Sequence, residues 1–167
     1  PVLDPQYRHG APKIMLSAEH MGSLPEFFAD IPDSRRGQGR RHPLPVVLAI
    51  AAAAVLCGMR GYKAIGLWAQ DLGQQARARF RCRYRNRRYE VPSRTVIREV
   101  LVRVDPDALG GALQRWNLQH ADDEALAIDG KTMCNAIDED GRQTHILGVV
   151  GHRSQTCHTQ KKSAPCP

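Results

Sequence analysis

Nine arginines lie between positions 77 and 98 (Arg77, Arg79, Arg81, Arg83, Arg85, Arg87, Arg88, Arg94 and Arg98) against a single acid, Glu90. That segment carries +8 while the whole 167-residue chain carries +7, so the excess positive charge is concentrated in one place. Charge of one sign at this density repels itself unless an anion neutralises it, and Phe80, Tyr84 and Tyr89 are interleaved as stacking surfaces. The chemistry these residue types suit is contact with nucleic-acid phosphates. A solvated arginine-rich loop is the alternative that charge alone leaves open. A smaller basic run, Arg35, Arg36, Arg40 and Arg41, lies upstream.

A second set of residues points to metal-assisted chemistry. Asp129-Gly130-Lys131 follows the apolar half-strand Ala125, Leu126, Ala127 and Ile128. A carboxylate on a rigid sheet edge, beside a glycine that lets a phosphate approach, is what Mg²⁺ or Mn²⁺ needs in a phosphoryl-transfer site. Asp-Gly is also a hairpin signal, and on spacing alone that is its commoner meaning. The acids Asp138, Glu139 and Asp140 read as a solvated turn. His145, His152, Cys157, His158 and Cys166 gather toward the C-terminus without the pair-plus-pair spacing of a zinc site. Five cysteines, odd in number and never spaced C-x-x-C, argue against a disulfide scaffold or a zinc ribbon. No glycine-rich phosphate loop supports ATP or nicotinamide chemistry.

The elements that would position these residues follow from periodicity. Residues 1–20 hold three prolines without sustained period and read as an irregular arm. Ser23-Leu24-Pro25-Glu26 has the spacing of a capping box, so a short helix is expected over 24–30. Residues 31–43 read as a loop. The uncharged run 43–59 is Ala-rich, opens on proline and closes on Gly58; it is too short for a membrane span and is expected as the central buried helix. Tyr62, Ile65, Leu67, Trp68 and Leu72 predict a third helix over 62–75, with Trp68 in the core. The alternation of arginine with Ala78, Phe80, Cys82 and Tyr84 predicts an exposed loop or short ribbon over 77–86. A helix over 93–104 and another from Asp105-Pro106 to about His120 follow. Three strands, over 125–136, 144–151 and 155–161, form a meander with a hairpin connection at 138–141. Nothing in the first residues reads as a secretory leader, and the expected setting is cytoplasmic, with no membrane partner.

Several motifs occur together in register. These are residues 24–44 (LPEFFADIPDSRRGQGRRHPL), Val55-Leu56-Cys57-Gly58, Val91-Pro92-Ser93-Arg94-Thr95, Val104-Asp105-Pro106 and Ala127-Ile128-Asp129-Gly130-Lys131-Thr132. In this order and spacing the chain resembles bacterial insertion-sequence transposases of the ISAs type, relatives of the H-repeat-associated proteins, over about residues 21–162. The resemblance implies an α+β chain: an all-helical DNA-handling domain over 21–122, followed over 123–167 by the first three strands of a ribonuclease-H-like domain with an Asp-Asp-Glu triad. It implies that Asp129 is the first catalytic carboxylate and a ligand of Mg²⁺ or Mn²⁺ and that the partner is the insertion-sequence end; the nine arginines, singled out by their charge, are then the expected DNA contacts, and self-association is left open. The family's second Asp and its Glu lie downstream of the third strand, and after Lys162 the sequence departs from the family pattern. The expectation is therefore a fragment that binds DNA without cutting it. A non-catalytic DNA-binding module and a decayed reading frame are the alternatives.

Overall fold

The structure is a computed structural model and describes residues 18–119, 123–137, 141–153 and 157–163. It is α+β, and its contacts divide it into two compact units between Leu113 and Gln114. Most of the N-terminal arm, the acidic turn at 138–140, the first two residues of the expected third strand and the tail beyond Ser163 lie outside the described residues.

The first unit is built around α2, Leu44–Leu56. Its Ala-rich sequence has apolar residues all round, and Leu44, Val46, Val47, Leu48, Ala49, Ile50, Ala51, Ala53 and Ala54 are buried. A helix apolar on every side must be enclosed, and α1 (Ala18–Phe27), α3 (Gly61–Asp71) and α5 (Arg94–Arg103) pack against it. Pro45 is tolerated in the first turn, where the missing N–H has no partner to lose. The helix ends in a Schellman motif: Met59 N–H donates to Ala54 O and Gly58 N–H to Val55 O, both at 2.9 Å. Gly58 takes the left-handed conformation this requires, at φ 86°. Among the described residues no single helix is long and apolar enough to cross a membrane, and α2 and α3 bend by 103° at their break.

The capping box at Ser23 does not form. Helix α1 begins at Ala18, five residues before the expected cap, so Ser23 lies inside it and its Oγ donates to His20 O at 2.7 Å. Glu26 instead reaches Arg81. Helix α3 stops at Asp71 rather than at 75, because Leu72 and Gly73 turn extended and a separate short helix, α4 (Gln74–Arg79), restarts the chain. The stretch expected to be all helical also contains a hairpin, β1 (Arg83–Arg85) paired antiparallel with β2 (Arg88–Glu90). The ribbon alternative to a loop thus forms, but displaced to residues 83–90, while Arg77, Ala78 and Arg79 at the start of the expected stretch are helical and belong to α4. Helices α5 and α6 (Pro106–Leu118) start where their caps predict: Ser93 Oγ accepts from Val96 N–H, and Asp105 Oδ1 accepts from Asp107 N–H at 2.9 Å.

In the second unit β3 (Leu126–Ile137), β4 (Gln143–Gly151) and β5 (Cys157–Ser163) form an antiparallel meander in the order β3-β4-β5. Ile128 pairs with Val149 and Gly130 with Leu147, so one face is apolar, yet Leu126, Ile128 and Leu147 are exposed. Asn117 Nδ2 of α6 donates to Cys157 O at 2.9 Å, and His158 Nε2 meets the Asp123 carboxylate at 2.8 Å.

Candidate nucleic-acid interface

The arginine segment is a scaffolded hairpin, and its nine side chains do different things. Helix α4 holds the hairpin from one side. Gln74 clasps the backbone of Tyr89 from both directions, accepting from its N–H at 2.7 Å and donating to its carbonyl at 3.4 Å. Arg77 turns inward: its guanidinium donates to Leu72 O, Gln70 O and Tyr89 O at 2.7, 2.6 and 3.1 Å. All three of its nitrogens are thereby committed to the protein's own carbonyls, which fixes α4 to β2. Arg81, in the left-handed region at φ 58°, pairs with Glu26 of α1. Phe80 and Cys82 beside it are buried, and burial pushes the Cys82 thiol up to about 11.

Of the remaining arginines, all but Arg83 are exposed. Arg85 and Arg88 are directly opposite in the ladder, and Arg87 sits between them in the connection. Asn86 (φ 49°) and Arg87 (φ 60°) both have positive φ, as a type I′ connection requires. Tyr84 and Tyr89 also pair, with ring centroids 4.9 Å apart, and Tyr84 is 61% exposed. Arg83 is half-buried opposite Glu90. Arg94 opens α5, and Arg98, one turn later, lies over the Tyr62 ring at 5.9 Å, while Ile97 and Val100 fill the buried side of the same helix. Among the described residues no carboxylate is ion-paired with Arg79, Arg85, Arg87, Arg88, Arg94 or Arg98. A rigid ribbon and a helix end thus present unneutralised guanidinium groups next to an exposed aromatic ring, which is the chemistry that meets phosphates and stacked bases.

Sequence reasoning missed the role of the upstream basic run. Arg35 is buried, and its guanidinium grips Asp33 through Nε and Nη2 at 2.9 and 2.8 Å while donating to Gly39 O and His42 O. Arg40 closes the same knot on Arg35 O and Asp33 O. The Arg35 guanidinium holds the Asp33 carboxyl below the usual carboxylate range. The signal was the Asp at position 33, two residues before Arg35, which supplies the anion a buried arginine needs. His42, at the end of this knot, is buried, and burial holds its imidazole below the usual histidine value; nearby Arg41, Arg83 and Arg35 push the same way and Glu90 opposes them.

Asp129 belongs to the second unit. It sits within β3 opposite Gly148 and is exposed. Among the described residues no group of three or more His, Cys, Asp or Glu side chains gathers to hold a metal ion.

A family model described as DDE_Tnp_1-associated matches residues 25–117, more than half of the chain. No curated protein and no solved structure matches.

Proposed function

Because the chain belongs to the DDE_Tnp_1-associated family, we propose that this transposase-related protein binds DNA through the β1–β2 hairpin and the start of α5. In this reading it is a relative of ISAs-type insertion-sequence transposases, it works in the cytoplasm on the ends of its element, and its meander β3–β5 opens a ribonuclease-H-like domain with Asp129 as the first metal-binding carboxylate. The observation that carries the DNA-binding part is the hairpin itself: Arg85, Arg87 and Arg88 project from a two-stranded ribbon with no ion-paired carboxylate among the described residues. For this chain by itself the reading is binding without cleavage.

Electrostatic contact with a duplex has a signature that a solvated loop lacks. Each neutralised phosphate releases counterions, so log affinity falls with log salt at a slope of about 0.9 per phosphate. Replacing Arg83, Arg85, Arg87 and Arg88 with Ala is expected to weaken duplex binding for every sequence and to flatten that slope by roughly one unit for each phosphate no longer neutralised. Affinity and slope that both survive the four substitutions would reduce the hairpin to a solvated ornament.

A further inference from the structure

The two faces of the β1–β2 ribbon carry different chemistry. Side chains alternate across a strand and cross-strand partners share a face, so Arg83, Arg85, Arg88 and Glu90 lie on one side and Tyr84 with Tyr89 on the other. On the first face Arg85 stands directly opposite Arg88, a like-charge pairing that destabilises a ribbon unless an anion neutralises it. On the second face the two rings touch, with centroids 4.9 Å apart and planes inclined at 57°. Gln74 and Arg77 engage both polar backbone groups of Tyr89, so neither is given to β1. Tyr84 and Tyr89 are therefore a non-hydrogen-bonded pair, the kind whose side chains approach most closely. Tyr89 is half-buried and tied to α4, and Tyr84 leans on it. A cross-strand aromatic pair stabilises a ribbon, which accounts for the contact. It still leaves Tyr84 61% exposed, a supported aromatic surface flanked in sequence by Arg83 and Arg85.

We infer that this ribbon recognises DNA carrying an unpaired strand, stacking an unpaired base on Tyr84 while the arginine face and the tip residue Arg87 hold the phosphates. The inference rests on the nucleic-acid reading of the hairpin and narrows its substrate. Inside a closed duplex every base face is covered by the neighbouring pairs, so a duplex engages the arginines but has nothing to stack on the tyrosine. A strand that has left its duplex offers both phosphates and uncovered base faces, which is what a ribbon with one basic and one aromatic face is suited to meet. Every base has a π-face, so the contact tolerates any sequence in the unpaired strand. Because Tyr89 and α4 already support the Tyr84 ring, little side-chain freedom is lost on stacking and more of the interaction appears as affinity. Arg87 lies in the connection between the strands, so a strand passing around the tip meets charge and ring in succession.

The test uses the full chain and one duplex in three forms: blunt, with a single-stranded tail of thymidines, and with an abasic tail of equal length. The blunt form reports duplex binding by itself. The two tails carry the same phosphates, so they differ only in having bases to stack. The thymidine tail is expected to bind about tenfold more tightly than the abasic tail, the effect of stacking one base. A 2-aminopurine placed in the thymidine tail, whose emission falls when it stacks, is expected to dim on binding the unaltered chain, a readout that needs no variant to fold. Tyr84→Phe is expected to keep the ratio between the tails, and Tyr84→Thr, which retains strand propensity without a π-face, to abolish it. Tails that bind equally, or emission that does not change, overturn the stacking and leave the DNA-binding reading intact. A ratio that survives Tyr84→Thr overturns the assignment to this ring. Failure to bind any of the three forms overturns both the stacking and the DNA-binding reading.

Discussion

Arg87 occupies a position that glycine fills more cheaply. At φ 60° it is left-handed, which costs a residue with a Cβ about 1–2 kcal/mol relative to the right-handed region. The second central position of a type I′ turn usually answers this with glycine. Keeping a guanidinium there instead exchanges turn stability for charge at the tip of the ribbon. Arg87→Gly is therefore expected to leave thermal stability unchanged or raise it by up to about 1 kcal/mol, and to weaken duplex binding several-fold. A variant with lower stability and unaltered binding would mean that the side chain serves the fold. The same residue type does opposite work elsewhere, since Arg35 and Arg77 are consumed by internal carboxylate and carbonyl groups. Counting arginines in the sequence locates the basic segment correctly but cannot separate those that hold it in shape from those left facing solvent. That distinction depends on which carbonyls the tertiary fold brings within reach.

Elements were legible where local chemistry is strong enough to decide alone. The all-apolar run that forms α2, the caps Ser93 and Asp105, and the alternation that forms β3 and β4 each appear close to the expected place. The failures share a cause, a local signal overridden by packing. Ser23 and Glu26 have capping-box spacing, yet α1 runs through them and Glu26 finds Arg81, 55 residues away. Leu67 fits the apolar period of α3 but is 53% exposed, because the helix buries Ile65, Gly66 and Ala69 instead. The reason lies at Gly66. A Cβ there would stand 2.9 Å from the Arg94 Cβ and 3.2 Å from its Cα, so α3 and α5 touch almost backbone to backbone. In an open helix Gly66→Ala would gain about 1 kcal/mol of helix propensity. Here neither neighbouring atom is the free end of a side chain, and overpacking of this kind costs about 1–3 kcal/mol. The expected result is a lower thermal midpoint, with duplex binding weakened because the α5 N-terminus and Arg94 are displaced. A midpoint that rises would show that the two helices separate without strain.

At the scale of the whole molecule, the two units carry different chemistry. The first unit concentrates the unneutralised arginines, and the match to the DDE_Tnp_1-associated family over residues 25–117 falls mainly on it. The second carries Asp129 on an exposed strand position, with Lys131 two residues along the same face. A single exposed carboxylate binds Mg²⁺ weakly, because the ion gives up water reluctantly and is normally kept in place by one or two carboxylates together with substrate phosphates. Two-ion phosphoryl transfer demands more, a pair of metals about 3.5–4 Å apart held by several anionic ligands. Among the described residues no group of three candidate ligands forms. DNA binding and DNA cleavage are therefore expected to separate in this chain: it retains duplexes on a gel, yet supercoiled plasmid incubated with it and Mg²⁺ or Mn²⁺ stays unnicked, and Asp129→Ala changes neither result. The informative contrary outcome is nicking that the Asp129→Ala variant loses. It would mean that Asp129 does hold a reactive ion and that the missing ligands come from residues beyond those described or from a second chain, which mixing Asp129→Ala with wild-type protein at varied ratios would then tell apart.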